Sequence, residues 1–167
     1  MNYNYIFYDA YGQIVSIYAG AEPQNQTVEG SIGYALIDDN FISVENTYYN
    51  TANKTFAAKT ATDLNIPSKV DVNASVSFTV PADCYVTVNN DKHTSGTVTI
   101  DTSKVSGFQI TVKGKLKYRQ YITILNYSQK RASEYPSIVD QLDELYHNGI
   151  DGWKAKIKEV KDKYPKS

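Results

Sequence analysis

The stretch Val70-Asp71-Val72-Asn73-Ala74-Ser75-Val76-Ser77-Phe78-Thr79-Val80 decides the fold class. Val70, Val72, Ala74, Val76, Phe78 and Val80 occupy every second place, which is the period of a strand with one face buried. Pro81-Ala82-Asp83 ends the run. Downstream come Tyr85-Val86-Thr87-Val88, the turn cluster Asn89-Asn90-Asp91-Lys92, Thr97-Val98-Thr99-Ile100, Phe108-Gln109-Ile110-Thr111-Val112 and Tyr121-Ile122-Thr123-Ile124-Leu125. Short strands rich in Val, Ile and Thr at roughly ten-residue spacing predict a small β-sandwich over residues 67–127.

Upstream, residues 1–62 read as a hairpin-rich β segment. Asn4 to Tyr8 and Gln13 to Tyr18 flank Asp9-Ala10-Tyr11-Gly12, a loop that ends in Gly. Ile32 to Ile37 and Phe41 to Val44 flank the turn cluster Asp38-Asp39-Asn40, and Glu45 to Tyr49 and Thr55 to Ala58 flank residues 50–54. The segment is acidic, with Asp9, Glu22, Glu29, Asp38, Asp39 and Glu45 set against Lys54 and Lys59.

Beyond residue 128 the period changes. Ile138, Leu142, Leu145 and Tyr146 fall at helical spacing, with Pro136 suited to the first turn and Ser137 or Glu134 to the start. His147-Asn148-Gly149 closes this helix, and Asp151 is placed to cap a second one. On the second, Trp153, Ile157, Val160 and Tyr164 line one side, while lysines cover the remainder. The expected architecture is mainly β with C-terminal α: the hairpin segment, a small immunoglobulin-like sandwich, and a helical hairpin over 128–167.

Bulk properties narrow the function classes. A chain of 167 residues with formal net charge −1 has no global pull toward nucleic acid or an anionic membrane. No run approaches the roughly 20 apolar residues of a membrane span, and Met1 to Tyr8 lacks the layout of a secretory signal. The expectation is a soluble protein made in a cytoplasm. A single cysteine, Cys84, excludes an internal disulfide and is expected to be a buried thiol. The fifteen tyrosines suit partly wet interfaces, although A/T-rich codon usage gives the same composition.

Chemistry-bearing constellations are sparse. His93 and His147 fall in a turn and at a helix end without partners for acid–base work. Asp38-Asp39-Asn40 lacks the Gly and Glu of a calcium loop, and Gly30 and Gly33 make no phosphate cradle. No enzyme, metal or cofactor is expected. The lysine-rich residues 153–167 read as a solvated face over a stripe that docks on protein.

The stretch Arg131-Ala132-Ser133-Glu134-Tyr135-Pro136-Ser137-Ile138-Val139-Asp140-Gln141-Leu142-Asp143-Glu144-Leu145-Tyr146 resembles the box of the phage tail assembly chaperone family. Those sequences read Arg-x-x-x-Tyr-Pro-Pro-Ile-x-Asp-Gln-Leu-Asp-x-Leu-Trp, often followed by a helix like Ile157-Lys158-Glu159-Val160-Lys161-Asp162-Lys163-Tyr164-Pro165-Lys166. Ser137 and Tyr146 depart from the pattern at its second Pro and its Trp. The sandwich cadence is similar to immunoglobulin-like modules of phage tail proteins, and Tyr8 to Ile14 looks like the opening hairpin of tail-fibre assembly proteins.

The resemblance implies a tailed-bacteriophage tail protein, made in the bacterial host and held in the virion. Its partners would be other tail proteins and copies of itself, with no nucleic acid and no membrane. The protein-binding residues would be Tyr135, Pro136, Ile138, Asp140, Gln141, Leu142, Leu145, Tyr146, Trp153, Ile157, Val160 and Tyr164, with Asp140 and Gln141 supplying polar contacts at the edge. An assembly chaperone absent from the mature particle is the alternative, and a glycan-binding module a further one.

Overall fold

A computed structural model describes residues 3–166; the outermost positions of the segments expected at 1–62 and 128–167 lie outside the described residues. The chain is β-rich with helices confined to its C-terminal end, in line with the expected class. The first hairpin pairs β1 (Tyr3–Tyr8) with β2 (Ile14–Gly20), and β3 (Gly33–Leu36) adds to the other edge of β1. A second hairpin pairs β4 (Thr47–Asn50) with β5 (Thr55–Ala58). The two hairpins share a buried core of Ile6, Ile14, Tyr49 and Phe56, with Tyr8, Ile37, Phe41 and Val44 packed around them.

Phe41 to Val44, expected as a strand, is irregular. The buried Thr47 hydroxyl accepts the Ile42 and Ser43 backbone N–H groups (3.1 and 3.3 Å), which a strand would have given to a neighbour.

After β6 (Thr60–Ala61), the sandwich comprises β7 (Lys69–Asp71), β8 (Ser75–Thr79), β9 (Cys84–Val88), β10 (Asp91–His93), β11 (Thr97–Asp101), β12 (Gly107–Gly114) and β13 (Leu116–Leu125). One sheet runs β10-β9-β12-β13, with β6 and β7 pairing in parallel at different ends of β13; β8 and β11 form the facing pair. Val76, Phe78 and Val98 from the small sheet meet Val86, Phe108, Ile110, Val112, Ile122 and Ile124 from the large one.

Three expectations are corrected here. Val70 to Val80 is not one strand: Asn73 takes φ 65° and the Ala74 N–H donates to the Asp71 carbonyl (3.1 Å), so β7 and β8 join different sheets. The inward alternation survives the break because both sheets face one core. His93 lies in β10 and not in a turn, since the turn is only Asn89-Asn90. The last two strands are longer than expected and form one hairpin, turning where Gly114 takes φ 119°.

The hairpin unit is keyed to the sandwich through polar groups. The Asp9 carboxylate accepts the Tyr11 and Gln13 N–H groups (2.9 and 3.0 Å), shaping the loop between β1 and β2. Buried Gln13 then accepts from Lys59 Nζ (2.6 Å) and from the Gly114 N–H (3.3 Å). Tyr85 of β9 lies against Tyr11, ring centroids 5.2 Å apart, with Lys92 Nζ 3.9 Å from the Tyr85 ring centre. Burial first, and then the nearby Asp9 carboxylate, push the Tyr85 phenol well above its ordinary value.

Gly12 closes that loop at φ 70°, and a Cβ there would run into the Tyr49 carbonyl oxygen. Gly12→Ala is therefore expected to lower stability by about 2–4 kcal/mol, read as a reduced urea midpoint at unchanged slope.

Candidate protein-interaction surface

Two helices follow β13 directly. α1 (Tyr127–Glu134) was not expected; its signal is the spacing Asn126-x-x-Gln129, a capping box without an apolar stripe behind it. The Asn126 side chain accepts from the Gln129 N–H (3.0 Å), and the Gln129 side chain accepts from the Asn126 N–H (3.0 Å). Lys130 pairs with Asp71 at 2.5 Å, fastening α1 to the sandwich.

α2 (Ile138–Lys163) is two limbs, because Gly149 leaves the helical region with φ 68° and ψ −173°. The break falls at the glycine expected to end the first helix. The limb that follows has already begun at residue 150, so Asp151 sits inside its first turn and not at the cap. Pro136 likewise stands one residue ahead of the cap, Ser137, and not within the first turn.

Trp153 Nε1 donates to Gln141 Oε1 at 3.1 Å. Twelve residues of unbroken helix would span about 18 Å, beyond the reach of those two side chains, so the limbs fold back on each other. Arg131 fastens the far end: its Nε donates to the Tyr164 carbonyl (2.8 Å) and its Nη2 to the Lys161 carbonyl (3.2 Å), satisfying groups that a helix C-terminus leaves open. Glu134 accepts from Lys163 Nζ (2.6 Å) and from the Tyr164 hydroxyl (2.5 Å). Those bonds, Lys163 first, hold the Glu134 carboxyl below its ordinary value and raise Lys163.

The twelve residues expected to bind a partner therefore divide. Asp140 is occupied with Ser137: its N–H and its carboxylate both meet the Ser137 hydroxyl (3.1 and 2.6 Å). Gln141 donates to the Pro136 carbonyl (2.8 Å) while accepting from Trp153. These two polar residues, expected at the edge of a partner contact, have intrachain partners that cap and fold the hairpin. Tyr135, Pro136, Trp153, Ile157, Val160 and Tyr164 are half-buried, with Pro136 and Val160 lining one shallow groove.

Ile138, Leu142, Leu145 and Tyr146 remain open to solvent, at 75, 60, 38 and 85% exposure, and Val139 at 75% joins them. At 100° per residue these five cover roughly 120° of the first limb. Val139 was missed because it lies off the strict i, i+4, i+7 ladder. Arg131 belongs to the quoted stretch, but its partner is about thirty positions away and no local spacing points to it. Cys84 is buried, as its setting predicted.

No family model matches the chain, and neither curated proteins nor solved structures give a match.

Two outcomes follow from the fastenings. Arg131→Ala is expected to speed amide exchange over residues 155–163, by roughly five- to tenfold for the loss of about 1 kcal/mol, and to leave β9, β12 and β13 protected. Because the Glu134 carboxyl lies lower in the folded chain, its contribution is fully present above pH 4.5 and fades as pH falls through that lower value. Amide protection near Tyr164, corrected for the intrinsic exchange rate at each pH, should fall on acidification while the sandwich holds, which a pH series of exchange measurements checks.

Proposed function

We propose that this chain is a non-enzymatic structural or adaptor protein of a bacteriophage tail, made in the host cell and incorporated in the virion through its C-terminal helical hairpin. The observation that carries the reading is the open apolar stripe Ile138-Val139-Leu142-Leu145-Tyr146 on a limb fixed in place by the Gln141 hydrogen bonds to Pro136 and Trp153. An ordered apolar stripe of this kind is a docking surface awaiting a partner, and a large aromatic such as Tyr146 is a common anchor at such contacts. The stripe lies inside the stretch that resembles the tail-assembly box, which supports another tail protein as that partner.

Among the described residues no helix is long and apolar enough to cross a membrane. The polar keying of hairpin unit to sandwich supports a fixed building block, and association with additional copies of the chain is part of the proposal. The same stripe would equally serve an assembly chaperone, which would hold an immature tail protein by an apolar segment and then leave.

Mass spectrometry of density-purified particles separates the two. A fixed stoichiometry against the major tail protein is the expected result, and abundance in infected cells with absence from particles would give the chaperone reading. Leu142→Asp with Tyr146→Asp should abolish incorporation while changing stability by less than about 0.5 kcal/mol per site, since both side chains are exposed. Normal incorporation of that variant would remove the stripe from the proposal.

A further inference from the structure

A cleft of about 590 Å³ lies between the hairpin unit and the outer face of the large sheet. Alternation along β12 and β13 turns Val112 and Ile122 inward and leaves Thr111, Lys113, Lys117 and Arg119 on this outer face. Lys59 enters from the hairpin side. Four cations thus line one concavity, with Glu45 as the carboxylate among its lining residues, in a chain whose net charge is −1.

The clustering is electrostatically unfavourable as it stands. Lys113 and Lys117 face each other across the hairpin, one step beyond the Val112–Tyr118 pair, and like charges so placed repel. None of the four cations is in an ion pair with a carboxylate among the described residues. Lys117 donates to Asn46 (2.7 Å), and Arg119 Nε reaches the Gln109 amide oxygen (2.7 Å) once that amide is turned to satisfy its neighbours.

Lys59 carries the argument furthest. It is 9% exposed, and its ammonium donates to two neutral acceptors, Gln13 Oε1 (2.6 Å) and the Val44 carbonyl (3.2 Å). An ammonium has three donors, so one remains for an occupant of the cleft. Burial, and then Lys113, depress its protonation, only partly offset by the Asp9 and Glu45 carboxylates nearby.

We propose that this cleft is a binding site for a small polyhydroxylated anion, a sugar acid or sugar phosphate, whose oxyanion is held by Lys59, Lys113 and Lys117. The volume is within the range of small-molecule sites, with room for a mono- or disaccharide. Thr87, Asn89 and Thr111 supply neutral hydroxyl and amide partners suited to sugar hydroxyls. The floor is a sheet face, with the backbone of β9, β12 and β13 paired within the sheet, so an extended acidic peptide would gain no strand-like pairing there.

The test is calorimetric titration of the full chain with digalacturonate and glucose 6-phosphate, set against maltose, inorganic phosphate and tetraglutamate. Saturable binding of at least one acidic sugar at ~1 mM or tighter is expected, weakening about tenfold between about 0.05 and 0.5 M salt. Digalacturonate alone would identify the anion as carboxylate, and glucose 6-phosphate alone as phosphate. Lys113→Glu, which replaces the like-charge opposition with a pairing, should keep or raise the melting temperature and weaken binding at least tenfold. The proposal is overturned if neither acidic sugar saturates, if Lys113→Glu binds normally, or if maltose, phosphate or tetraglutamate binds as tightly as the sugars.

Discussion

Gln13 is the residue on which the rest of the body depends. Its side-chain oxygen takes hydrogen bonds from the Lys59 ammonium and from the Gly114 N–H, while its amide nitrogen donates to the Ile14 carbonyl. Both ends are buried and satisfied, so removing either would strand a polar group away from water. The hairpin unit buries few apolar side chains of its own, Tyr5, Ile6, Phe7, Ile14, Tyr49 and Phe56, a smaller core than the sandwich has. It leans on the sandwich, and the Gln13 contact sets how it leans. Lys59 is thereby held over the outer sheet face, β6 comes alongside the start of β13, and the cleft exists only because these parts stop short of closing on each other.

The sequence made the local periods readable and the long-range seams unreadable, for a physical reason. Alternation at Val76, Phe78 and Val80 and at Phe108, Ile110 and Val112 reflects which side chains a sheet must bury, so the pattern is written into neighbours in the chain. It does not say which sheet, and Val70 to Val80 shows the ambiguity: the same inward alternation continues through a turn at Asn73 into a different pair of strands. Hydrogen bonds such as Gln13 to Gly114, or Arg131 to Tyr164, join positions whose separation in sequence carries no periodic trace. Leu116 to Gln120 hid for another reason: Lys117 and Arg119 break the apolar look of a strand whose outer face carries charge.

In the C-terminal helices, the apolar pattern was legible but its purpose was mixed. No residue of α1 or α2 is buried, so neither helix is stabilised by a core in the ordinary way. Short helices without tertiary burial are marginal in water, and these are held instead by end contacts: the Ser137–Asp140 cap, the Gln141–Trp153 bridge and the Arg131 clasp on the last carbonyls. Asp140 and Gln141 of the box therefore contribute hydrogen bonds to the fold. The apolar members Ile138, Leu142 and Tyr146 are left with nothing of this chain to cover them, and helical periodicity alone could not distinguish a stripe facing a core from one facing outward.

β13 fixes the relation between the two surfaces. Lys117 and Arg119 stand near its start, beside the cleft, and α1 leaves from its end after Leu125. The eight residues from Arg119 to Tyr127 span roughly 26 Å at strand rise, well beyond a Debye length of about 8–10 Å. Over that length the direct field of the cation cluster on the base of α1 is largely screened. A strand paired along both edges with β12, β6 and β7 is also a stiff spacer, so occupancy at one end does not oblige movement at the other. On the two proposals together, an apolar partner at the helices and an anion in the cleft would attach at opposite ends of the same strand.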